Sequence, residues 1–402
     1  MKNNNKTISR SFLYIIFACY AAEGVIETLV GSVWPSIAKD INVHLSLIGI
    51  LTMITYISSI FSCIITNKIR TKLGTNYTTI LSVSFFAIAA FLYSISNNFI
   101  LYAIGAAIVG LSIIILDINS DSYILKAYGA KESSILHSFY GVGGFIAPLI
   151  LSFTISHFSS YKIGYTFFLF VFLMLIALLL LAKRNWENKK LYLDKDLVDK
   201  HSITADEKST DTSYKNLFKT KNVIPLTLLF FLEKSIVRTF NPMVATVLVN
   251  QKGVSNLLAT QVAGIFFIAL FVGRVFWGLI SDKFSSKAIL YTSFIIQTVI
   301  FLLLFSNIFN DIVTIGLIVV LGFVEASLVP FVGAFAKEHL NINILSAFLG
   351  LGSLVGLIGA SITSALSAFV IQNFSISIME LVYAIISILS CIIIFKVSKE
   401  NS

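Results

Sequence analysis

The chain has 402 residues, 57% of them hydrophobic and only 12% charged, with 29 Lys and Arg against 20 Asp and Glu. A soluble domain carries about 25% charged residues, so this composition excludes a globular protein and defines a polytopic membrane protein. Runs rich in Phe, Ile and Leu read as helices, since a β-barrel would show short alternating strands.

Twelve apolar runs follow in order, near 11–34, 44–66, 77–96, 99–123, 134–157, 163–182, 223–249, 259–281, 286–305, 311–336, 342–370 and 376–396. The first opens at Ser11, is as long as a full span, and has no small-residue cleavage site after it. It is read as a membrane helix and not a signal peptide. Cys19, Cys63 and Cys391 each fall inside an apolar run and read as small buried hydrophobes, with no disulfide or metal spacing. The stretch 183–222 is polar, mixed in charge and aperiodic. It divides the chain into an N-terminal six-helix bundle (1–182), a linker (183–222) and a C-terminal six-helix bundle (223–402).

Bases set the orientation. With the N-terminus inside, the inner segments hold Lys2, Lys6, Arg10, Lys68, Arg70, Lys72, Lys126, Lys131, the linker bases, Lys283, Lys287, Lys337, Lys396 and Lys399. The outer segments hold Lys39, Lys162 and Lys252. The positive-inside rule puts both termini in the cytoplasm and accounts for the net charge of +9 without a nucleic-acid partner. The expected location is the plasma (cytoplasmic) membrane, as a monomer.

The chain also repeats itself. Asn67 to Leu81 aligns with Gly278 to Leu290 at an offset of 211, pairing Lys72 with Lys283. Phe139 to Ala147 aligns with Phe348 to Gly356 at an offset of 209. Six spans per half give both halves one orientation, with a shared site at their interface near mid-membrane. On this repeat Glu23 matches Glu233, and Asp117 matches Glu325 at an offset of 208. Glu27, Asp121, Lys234 and Arg238 fall on the same set of spans. Charges inside a bilayer are costly, so their restriction to equivalent helices points to a central polar pathway.

These features resemble the major facilitator superfamily. Gly273-Arg274, followed by Gly278, Asp282 and Lys283, resembles its cytoplasmic loop motif, in which glycines let helices approach and the charges form a gate. The first-half copy departs from it at Asn67 and Thr71. Within the superfamily the chain resembles the fucose:proton symporter-like group. The resemblance rests on Asp117 and Asp121, on Leu136-His137 with Gly141, Gly143 and Gly144, and on Pro148. It implies a buried acid on the fourth helix, matched by Asp117, that takes and releases a proton. Asp121 replaces the group's Asn, which adds a second titrating candidate.

Each candidate has two readings. Asp117 is a coupling carboxylate, since burial penalises its charged form, or a packing acid paired with Arg238 or Lys126. Glu23 and Glu27, one turn apart on one face, are cavity acids or bridge Lys234 or Arg238. Glu233 and Glu325 are coupling acids, substrate ligands or ion-pair partners. Arg238, with its planar donors, along with Asn241, Tyr20 and Trp34, could bind substrate. His137 is a pH-responsive partner of Asp121 or an interfacial helix-start residue. Arg274, Asp282, Lys283, Lys72 and Gly278 read as gating residues.

No nucleophile–base set, zinc spacing or nucleotide motif is present, so neither an enzyme nor a cofactor is expected. The expected function is alternating-access, proton-coupled transport of a small sugar-like solute, with Na+ left open as the coupling ion. Efflux of an amphipathic or cationic compound is the alternative, and a non-transporting receptor ranks behind both.

Overall fold

The computed structural model describes residues 10–127, 130–182, 217–218, 220–281 and 283–397, which contain almost all of the expected spans. The linker 183–222 lies largely outside them.

The helices are α1 (Arg10–Thr28), α2 (Trp34–Asp40), α3 (Leu47–Ile95), α4 (Phe99–Ala127), α5 (Ala130–Phe158) and α6 (Tyr161–Leu181). Beyond the linker come α7 (Val223–Phe240), α8 (Val244–Lys252), α9 (Asn256–Ile280), α10 (Ser286–Ser306), α11 (Asp311–His339), α12 (Ile342–Asn373) and α13 (Ile376–Lys396). Apolar runs make them helical, because only internal hydrogen bonding satisfies a backbone in lipid. Side-chain caps fix several starts: Ser255, Ser285, Asn310 and Ser375 accept from the backbone N–H three residues on. Phe91, Phe170, Leu181 and Ile312 are exposed on the outside, a surface suited to lipid.

Among the described residues, ten helical segments are long and apolar enough to cross a membrane, and physical reasons raise this to twelve crossings. α3 spans 49 residues, about 73 Å if straight, more than twice a hydrocarbon core. It is two spans joined at Gly74, where φ is 77°. The two parts fold back on each other, because both bond the same turn of α4. Ser59 and Ser62 donate to the carbonyls of Gly110 (3.0 Å) and Leu111 (2.6 Å), and Ser82 donates to that of Ser112 (2.6 Å). On a straight helix Ser62 and Ser82 would lie about 30 Å apart. The twelfth crossing is α7 with α8, whose Glu233, Lys234 and Arg238 dilute its hydropathy.

Two spans expected to be continuous are broken. The first ends at Thr28, passes through a 3-10 turn at Gly31–Val33 and resumes as α2. The seventh ends at Phe240, passes through Asn241–Met243 and resumes as α8. The two turns sit 210 residues apart, so the internal repeat extends to its helix breaks. Pro35 and Pro242 stand at the start of the resumed helix and in the second turn, where a missing N–H costs little.

Across the middle of the molecule α5 packs against α9, and α3 against α12. α1 lies along α5 at very close range. A Cβ on Gly143 would run into the carbonyl oxygen of Ala21, and one on Gly24 into that of Tyr140.

Candidate functional site

A cavity of about 970 Å³ lies between the helices before and after the linker. One end is sealed. Gly31 lies against the backbone of Pro242, where no side chain would fit, and the Thr260 hydroxyl donates to the Ser32 carbonyl at 3.0 Å. The other end reaches exposed residues, Gly278, Leu279 and Ser281, at the end of α9.

Its charges form tiers. Nearest the sealed end, Arg238 Nη1 donates to Glu27 Oε1 at 2.5 Å, an ion pair between α7 and α1. The Tyr56 hydroxyl steadies that turn by donating to the Arg238 carbonyl at 2.8 Å. One turn along each helix stand Lys234 and Glu23, both in the cavity wall. Glu23 is 2% exposed, and its Oε2 accepts no hydrogen bond among the described residues. Asp117, Arg238 and Arg274 are within electrostatic range of it.

Nearer the open end, the Tyr20 hydroxyl donates to the Asp117 carbonyl at 3.3 Å, and its ring meets the His137 ring edge-on at 5.3 Å. Arg274 Nη1 donates to the His137 carbonyl at 3.0 Å, and the guanidinium lies over the Tyr140 ring at 5.5 Å. Arg274 therefore ties α9 to α5.

The structure thus brings together Tyr20, Glu23, Glu27, Asp117, His137, Arg238, Asn241, Arg274 and Gly278 around one space. Other candidates lie elsewhere. Trp34 is wholly buried, and its indole N–H donates to the Leu45 carbonyl at 2.7 Å, so it braces the sealed end away from the cavity. Glu233 is 1% exposed, packed among its neighbours outside the cavity wall. Glu325 borders the cavity but is 1% exposed and accepts from Gln297 Nε2 at 3.2 Å. Gln297 in turn accepts from Ser387 at 3.1 Å.

The matched acids are therefore not equivalent. The helix breaks set the offset at 210, which pairs Asp117 with Ser327, whereas Glu325 sits two residues earlier and about 200° around the helix. Lys72 and Lys283 are exposed at the open end. The Asp121 side chain and Asp282 lie outside the described residues. Arg238, one proposed partner of Asp117, is taken by Glu27.

Sequence reasoning missed Tyr56, Tyr140 and Gln297. The tyrosines carry no signal, since aromatics are common in such runs. Gln297 does, because a primary amide in a bilayer needs partners. A further polar cluster lies at the sealed end, where Gln251 Nε2 donates to Glu380 (2.6 Å) and Ser377 (3.0 Å).

Twelve helical crossings among the described residues, around a charged central cavity closed at one end and open at the other, are the architecture of a membrane transporter. The chain belongs to the Major Facilitator Superfamily, whose sequence profile matches residues 16–232 and 223–402, a family of transporters and not of enzymes. Among solved structures it is similar to the crystal structure of a D-xylose-proton symporter, with a TM-score of 0.74. That match covers 97% of this chain and 98% of the other at 14% identity, a likeness of fold alone. No curated protein matches significantly.

Proposed function

We propose that the protein is a proton-coupled transporter of a small polar solute, working by rocking of two halves, 1–182 and 223–402, about the central cavity. One observation carries this reading: Glu23 and Asp117 share the cavity wall with Lys234, Arg238 and Arg274. Acids that exchange protons with a water-accessible cavity can alternate between ionised and neutral forms, and the cost of carrying charge through a bilayer makes that exchange mechanically relevant. The resemblance to the fucose:proton symporter-like group and the fold shared with a D-xylose-proton symporter support the same reading. The wall carries four acids, Glu23, Glu27, Asp117 and Glu325, against three cations, so its charge does not separate a neutral polar cargo from a cationic one.

The positive-inside distribution supports a cytoplasmic-membrane protein with both termini inside, which makes the open end cytoplasmic. Asp117→Asn and Glu23→Gln in liposomes are expected to abolish accumulation driven by a pH gradient while sparing solute counterflow, which needs no proton cycle. Full pH-driven accumulation by Asp117→Asn would refute the coupling role.

A further inference from the structure

The seventh span is broken at Asn241–Met243, and α8, the part beyond the break, sits between two neighbours. On one side it packs against α2 and the turn Gly31–Val33 of the N-terminal half, on the other against α13 of its own half. A 3-10 turn inside a span is where a hinge is expected. A hinge there would let α8 stay with either half when the sealed end opens.

The hydrogen bonds decide between the two. Gln251, in the last turn of α8, donates from its amide nitrogen to Glu380 Oε2 at 2.6 Å and to Ser377 Oγ at 3.0 Å. Three residues along α13 from Glu380, the Tyr383 hydroxyl accepts from Thr239 at 3.0 Å, just before the break. It donates to Met243 Sδ at 3.7 Å, inside the break. Ser377, Glu380 and Tyr383 lie within about 120° of the helix circumference. One face of α13 therefore binds the seventh span before, within and after its break.

Lys252 adds a tie from the end of α8 to the Phe309 carbonyl at 2.6 Å, between α10 and α11. Among the described residues no side-chain hydrogen bond runs from α8 to α2 or to the turn Gly31–Val33, and the buried Thr246 hydroxyl has no partner. Glu380 is 1% exposed. Parting it from Gln251 would strand a carboxylate and an amide in a buried place, a cost that unbonded packing does not carry. The N-terminal half holds its own break by a single bond of the same kind, from the Tyr165 hydroxyl of α6 to the Leu29 carbonyl at 3.2 Å.

We infer that Glu380 is a positioning residue of the transport cycle: through Gln251 it holds α8 on α13, so that the break does not hinge and α8 leaves α2 as part of the C-terminal half. The inference rests on the reading of two rocking halves and names what keeps one of them rigid across its break. It requires no particular solute.

The test is hydrogen–deuterium exchange of the purified full chain in lipid nanodiscs, read by mass spectrometry over 31–40 and 244–252. Gln251→Leu and Glu380→Leu should each speed exchange of 244–252 about tenfold, the worth of a lost buried hydrogen bond. Glu380→Gln, whose amide oxygen can still accept from Gln251, should exchange like the unaltered chain. That rescue separates the bond from a need for volume at this position. In a chain lacking Cys63 and Cys391, the two half-buried thiols, Gln251→Cys and Ser377→Cys joined by a short thiol-reactive bridge pin α8 to α13. Exchange of 31–40, which reports opening of the sealed end, should not change on bridging.

Unaltered exchange of 244–252 in both leucine variants overturns the hold on α8 and leaves the rocking of the halves standing, as does Glu380→Gln exchanging as fast as Glu380→Leu. Slower exchange of 31–40 on bridging shows that α8 swings at its break, and overturns the inference in the same way. Exchange of 31–40 as slow as that of the packed α3–α4 core in every form means that the sealed end does not open, which overturns the rocking reading and this inference with it.

Discussion

Replacing Glu27 by Gln, or Arg238 by Gln, is expected to lower solute counterflow at least about tenfold, while the double replacement recovers most of the loss. The reason lies in what each change leaves behind. The Arg238–Glu27 bond joins α7 to α1 at 2.5 Å, and both side chains are largely withdrawn from water. Removing one partner strands the other charge at a cost of about 3 kcal/mol, whereas removing both leaves no charge to strand. The measurement is counterflow of the three variants in liposomes at equal protein density. A double variant as impaired as Arg238→Gln alone would mean that Arg238 touches the solute directly and does more than join two helices.

The second large effect is steric. Gly143→Val should lower the melting temperature of the detergent-solubilised protein by several degrees or prevent recovery of folded material. Overpacking a core costs about 1–3 kcal/mol when side chains can shift. Here the obstacle is the backbone carbonyl of Ala21 on α1, which cannot rotate away, so the upper end of that range applies. Gly333→Ala on α11 is the control, since a Cβ there meets nothing within 4 Å. Equal melting of the two variants would show that the α1–α5 crossing tolerates separation.

Both predictions depend on geometry that the sequence revealed only in part. Long apolar runs announced the spans because a bilayer demands them, and even α7, diluted by three charges, stood out by its place after the linker. The breaks at Gly31 and Asn241 were not foreseen. Each lies within an apolar run, and Gly31 and Pro242 were the available hints, along with Pro35 just beyond the first break.

Of the candidate acids, Glu23 and Asp117 were legible because charge in an apolar helix stands out. Their surroundings were not. A two-residue error in the repeat offset turns a side chain about 200° around its helix, which is why Glu325 turns to Gln297 and is no mirror image of Asp117. Glu233 keeps the right offset from Glu23, yet it is buried outside the cavity wall. Trp34 looked like a ligand and serves as a brace for a loop carbonyl, a distinction that only the position of Leu45 reveals.

The two ends of the cavity are also built from different forces. Neutral contacts close the sealed end, backbone against Gly31 and a hydroxyl on the Ser32 carbonyl. The open end carries Lys68 and Lys72 from α3 and Lys283 from the connection between α9 and α10, all exposed. Dissolved ions act on the second set alone. The screening length shrinks from about 30 Å at 0.01 M to about 8 Å at 0.15 M ionic strength, so repulsion among these lysines fades as salt rises. Rising ionic strength therefore weakens the repulsion along the lysine rim and leaves the neutral contacts at Gly31 and Ser32 as they are.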